Sequence, residues 1–70
     1  MKAVYIIFEG CEWEGEYPVT EAYSNLKDAT AEIEFRVEYS DFELVEDDFP
    51  SYRDGSNFIY VRKFDIIKRK

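Results

Sequence analysis

Histidine is absent from this chain, and cysteine, methionine and tryptophan occur once each. The missing histidine removes the commonest general base and the commonest metal ligand. Cys11 has no second thiol for an intrachain disulfide and no imidazole to activate it, so it is expected to be a packing or turn residue. One cysteine without histidine cannot build an ordinary zinc site. Glu46-Asp47-Asp48 is an acidic run, yet it lacks the alternating acids and central glycine of a calcium-binding loop. The three glycines are scattered and form no phosphate-cradling loop. Long apolar runs are missing too: the longest is Ala3 to Phe8, far short of the ~20 residues of a membrane span. Met1-Lys2-Ala3 leads straight into a strand pattern with no cleavage site, which predicts a cytoplasmic protein. Carboxylate pairs able to hydrolyse a glycoside arise by chance among 16 acids, and 70 residues are too few to wall a cleft around one. The chain is expected to be no enzyme, with no cofactor and no metal.

Acids and aromatics are what it has in plenty. Sixteen acids oppose nine bases, a net charge of −7, alongside six Tyr, six Phe and one Trp. The 46% hydrophobic fraction argues against disorder despite 36% charged residues. Seventy residues make one domain, 1–70, with a core small enough to leave it marginally stable. The charge is segregated: residues 1–48 hold 14 acids and three bases, residues 49–70 two acids and six bases. Such a distribution is either a solubility device or a recognition surface. Arg62, Lys63, Lys68, Arg69 and Lys70 offer a small footprint for phosphate, but the acidic remainder would repel a duplex. Direct nucleic-acid binding is therefore not expected.

Leu26, Ala29, Ile33 and Val37 recur at helical spacing and predict a helix from about Asn25 to Val37 or Tyr39, with Ser24 as its N-cap. Lys2–Glu9 reads as a first strand, apolar on both faces and so central in its sheet. Gly10–Gly15 reads as a hairpin connection, Tyr17–Tyr23 as the second strand and Phe42–Glu46 as the third. Asp47–Asn57 reads as a loop around Pro50 and the Asp54-Gly55-Ser56-Asn57 turn, and Phe58–Ile67 as a bulged last strand. The order is β-β-α-β-β. This is an α+β fold: a small antiparallel β-sheet of three to four strands with one helix packed on one face. A single helix leaves the other face uncovered, where Tyr5 and Ile7 are expected to point outward and mediate a homodimer.

Glu12, Glu14 and Glu16 alternate with Cys11, Trp13 and Gly15, so an extended backbone would point all three carboxylates one way, roughly 6.8 Å apart. Asp28, Glu32, Glu34 and Glu38 follow on the helix, and Glu43, Glu46, Asp47 and Asp48 beyond it. Carboxylates four apart on a helix are about 6 Å from one another, the order of successive phosphates along one strand, so a lysine-rich channel would accept either. Phe35 lies about 180° around the helix from Leu26, and Tyr39 one turn further along that side. An aromatic pair among carboxylates has the composition of a binding hot spot with a charged rim.

The opening Met1-Lys2-Ala3-Val4-Tyr5-Ile6-Ile7 resembles the start of small phage-encoded proteins, among them type I anti-CRISPR inhibitors. Ala22-Tyr23-Ser24-Asn25-Leu26-Lys27-Asp28-Ala29 is similar to the strand-to-helix junction of small phage domains. The resemblance implies a small stand-alone protein that binds a large host complex and blocks it, as acidic members of that class do by looking like DNA. The resulting expectation is a non-enzymatic inhibitor, an acidic DNA mimic directed at the basic surface of a host nucleic-acid-binding complex such as a CRISPR effector. The other reading is an acidic protein–protein interaction or oligomerisation module without mimicry, whose binding would survive high salt.

Overall fold

The computed structural model describes residues 2–66, in the order β1 (Lys2–Cys11), β2 (Gly15–Pro18), α1 (Leu26–Val37), β3 (Glu43–Glu46), β4 (Ser51–Asp54) and β5 (Asn57–Ile66). The five strands form one antiparallel sheet in the order β2-β1-β5-β4-β3, with the helix on one side. The α+β class and the central place of β1 stand as read from the sequence, with more strands than the three to four expected.

β1 and β5 pair over ten residues without a register shift, from Lys2 opposite Ile66 to Cys11 opposite Asn57. The last strand is thus regular, and the irregularity lies instead in β3, where the register shifts between Leu44 and Glu46. β4 falls inside the segment 47–57 read as loop. It is joined to β5 by a two-residue turn in which Gly55 has φ 61 and no non-glycine residue has a positive φ, as a type II′ hairpin turn requires.

β2 stops at Pro18 rather than reaching Tyr23. The chain still follows β1: Val19 donates to the Ile7 carbonyl at 2.9 Å, and Tyr5 and Tyr23 exchange both backbone bonds. Between them the Ile7 amide takes the Thr20 hydroxyl at 3.3 Å, so a side chain replaces the ladder where the backbone bows away.

The helix is capped by Asn25, not Ser24: its Oδ1 accepts from the Asp28 amide at 2.8 Å. Ala29 and Ile33 project from α1 onto Ile7, Ile59 and Val61, and these five residues are the buried core. Tyr5, Val19, Tyr23, Leu26, Val37, Phe42 and Tyr52 pack around it. Ile7 is 0% exposed and Tyr5 lies against the same cluster, so both belong to the helix side of the sheet and neither faces outward. The parity is the reverse of that expected. Val4, Ile6 and Phe8 hold the uncovered face, because Ile7 is opposite Val61 and both must meet Ile33. No described helix is long and apolar enough to cross a membrane.

Candidate functional site

The inward stripe of α1 decides what its outer side presents. With Ala29 and Ile33 against the sheet, Phe35 is 73% exposed and Tyr39, just past the helix, 95% exposed. Both stand outside the core, Phe35 as its helical angle requires, and Phe35 is not packed under the 47–57 segment. Carboxylates flank them in two rows. Asp28 and Glu32 lie on the side of Tyr23, whose hydroxyl is pushed above its ordinary value by burial and then by Glu32, with a smaller push from Asp28. Glu34 lies on the side of Tyr52, whose hydroxyl is raised by burial and then by Glu34. Glu38 caps the C-terminal end, where the helix dipole disfavours an anion.

Only part of this charge is balanced locally. Glu32 accepts from Arg36 Nε at 2.8 Å, and the same guanidinium donates to the Val19 carbonyl at 3.4 Å. That second bond turns Arg36 toward the sheet. Asp28 joins the helix cap, its carboxylate accepting from the Asn25 side-chain Nδ2 at 3.1 Å. Among the described residues no ion pair joins Asp28, Glu34 or Glu38 to a base.

The other acids expected to share this surface are elsewhere. Residues 12–14 form a turn, so Glu12, Glu14 and Glu16 are not an extended array. Glu12 accepts from Arg53 at 2.9 Å, and Glu16 accepts from the Tyr60 hydroxyl and from Arg62 at 3.5 Å. Both therefore serve the uncovered side of the sheet. Glu14 turns the opposite way and accepts from the Cys11 thiol at 3.6 Å. Cys11, buried at the end of β1, lines a cleft of about 280 Å³ with Glu9, Glu14, Tyr17, Asp54 and Asn57. Glu43 and Glu46 sit opposite Arg53 and Ser51, again on the uncovered side, while Asp47 and Asp48 occupy the exposed turn that follows. Of the thirteen residues expected to bind a partner, the structure gathers six: Asp28, Glu32, Glu34, Phe35, Glu38 and Tyr39. Lys68, Arg69 and Lys70 lie outside the described residues.

The sequence reading anticipated an uncovered sheet face but placed Tyr5 and Ile7 on it, where the structure has Phe8. Phe8 stacks on Tyr60 with centroids 5.8 Å apart, and Phe64 and Phe58 extend the row at 6.0 and 6.1 Å. Arg62 lies over Phe64 and Phe8, and Arg53 over Phe58. Burial, then the hydrogen bond to Glu16, raises the Tyr60 hydroxyl above its ordinary value. The alternation Phe58-Tyr60-Arg62-Phe64 is the signal that marks this face. Compared with family models, curated proteins and solved structures, the chain matches none.

Proposed function

We propose that this protein is a non-enzymatic binder whose helix docks on a basic surface of a partner, and that the partner is a host nucleic-acid-binding complex whose phosphate channel the carboxylates occupy. A phage-encoded inhibitor of a CRISPR effector, acting in the host cytoplasm, is the specific form of this reading. The observation that carries it is the exposure of Phe35 and Tyr39 between two rows of carboxylates. Two large aromatics left in water, one on the helix and one just past its end, have no use in the fold. The rows are about one helix diameter, 10–12 Å, apart, so a basic groove could meet both at once.

The test is competition. A purified type I CRISPR effector bound to labelled double-stranded target should lose that DNA on titration with the protein at low salt. Glu34→Lys with Glu38→Lys should abolish the displacement, and Phe35→Ala should weaken it by about 1–3 kcal/mol. Failure to displace DNA from any basic effector removes the mimicry.

The exposed aromatics also favour the second reading, an acidic interaction module without mimicry. Its binding would depend on Phe35 and Tyr39 and persist when salt screens the carboxylates. Salt dependence separates the two.

A further inference from the structure

We infer that the uncovered face of the sheet is the contact surface for a second copy of this chain, forming a face-to-face dimer with the helices outside. On the two central strands the in-register pairs Val4–Phe64, Ile6–Arg62, Phe8–Tyr60 and Gly10–Phe58 share this face. Four aromatic rings form a continuous row along it. None of them is fully buried, because the one helix lies on the opposite side.

Charge selects the occupant. The face carries Lys2, Arg53 and Arg62 against Glu12, Glu16, Glu43 and Glu46, which nearly cancel. Elsewhere among the described residues twelve acids oppose three bases. Among the described residues, two copies of so acidic a protein repel each other least across this face. Contact here buries the aromatic row and places the two acidic helices on opposite outer sides, with the sheets about 10 Å apart. A single-stranded nucleic acid also stacks on aromatic rows, but it needs cations for its phosphates. Here Arg53 and Arg62 are already paired with Glu12 and Glu16, and acids line both edges of the sheet.

The size fits as well. Two strands of ten residues and three of four, at about 3.3 Å per residue and 4.8 Å per strand, project roughly 500 Å². Side-chain relief raises the accessible area toward the roughly 800 Å² per partner of a stable interface. The dimer does not depend on the proposed function. If both hold, each particle offers two acidic helices and binds bivalently.

Sedimentation velocity from low to high micromolar concentration tests this, with circular dichroism to verify folding. The wild type should sediment at twice the monomer mass, and its Tm should rise with concentration. Phe8→Glu should raise the dimer dissociation constant about tenfold or more while staying folded. Ile66→Glu repeats the test at the 45%-exposed end of the same face, where loss of fold is not at issue. Phe35→Glu, on the helix, should dimerise as the wild type does. A wild type that stays monomeric at high micromolar concentration overturns the inference, as does a dimer that survives Phe8→Glu and Ile66→Glu or is lost in Phe35→Glu. So does binding of oligothymidylate by the wild type that Phe8→Glu abolishes, since that would assign the face to nucleic acid.

Discussion

The backbone of Gly10 lies so close to that of Gly15 that a Cβ on Gly10 would stand 2.1 Å from the Gly15 carbonyl oxygen. The same Cβ would be 2.7 Å from the Glu16 Cα, so both obstacles are backbone and neither can rotate away. Gly10→Ala should therefore force β1 and β2 apart and destabilise the fold by about 1–3 kcal/mol. Gly15 has φ 80 but open space around it, so Gly15→Ala should cost about 1 kcal/mol through backbone strain alone. Urea denaturation ranks the two, and a Gly10→Ala protein as stable as the wild type would disprove the close approach.

Ile33 and Phe35 are two residues apart and should behave as opposites. Ile33 is fully buried against Ile7 and Val61, so Ile33→Ala should cost about 2–5 kcal/mol. Phe35→Ala should stay within about 0.5 kcal/mol of the wild type. If Phe35→Ala instead melts the fold, its ring is part of the core and the helix surface is not a binding site.

Helix capping gives a sharper contrast between neighbours. Asn25 both accepts from the Asp28 amide and donates to its carboxylate, so Asn25→Ala should cost about 1 kcal/mol. Ser24→Ala should change stability little, because Ser24 has no part in the cap. Reversal of that order in chemical denaturation would restore Ser24 as the cap.

Alkaline pH should lower the stability of this protein through three of its tyrosines. The hydroxyls of Tyr23, Tyr52 and Tyr60 are raised above 10.0, chiefly by burial. Below that value both folded and unfolded chains keep these protons and the stabilisation is complete. As pH rises past 10.0 the unfolded chain loses protons first, so stability falls until the folded hydroxyls ionise as well. Absorbance titration should show Tyr23, Tyr52 and Tyr60 ionising above 10.0, and Tyr60→Phe should flatten the decline in Tm. Ionisation of Tyr23, Tyr52 and Tyr60 at 10.0 would contradict it.

The helix and the central strand were legible because their patterns are unambiguous: Ala29 and Ile33 share one stripe, and β1 runs from Ala3 to Phe8 without a charge. That same uniformity hid the parity of β1. With both alternating sets, Tyr5 and Ile7 or Val4, Ile6 and Phe8, largely apolar, only the partner strand could decide which set meets the helix. β4 was hidden for a different reason. Ser51-Tyr52-Arg53-Asp54 has one apolar residue and follows a proline, and its clue was the Asp54-Gly55 step that begins a tight hairpin. The hairpin acids misled because Glu12, Glu14 and Glu16 are evenly spaced in sequence, while the turn at 12–14 sends Glu14 to the side opposite the other two.

The seam between β1 and β5 has a consequence for biosynthesis. Lys2 faces Ile66 and Cys11 faces Asn57, so the middle of the sheet joins segments 46 to 64 residues apart in sequence. A growing chain can form α1 and the short hairpins, but Ile7 and Ile33 have no Val61 or Ile59 to close over them until β5 has left the ribosome. High contact order of this kind slows folding. Until that last strand arrives, β1 waits with one hydrogen-bonding edge bare, which makes the nascent chain a natural client for holding chaperones.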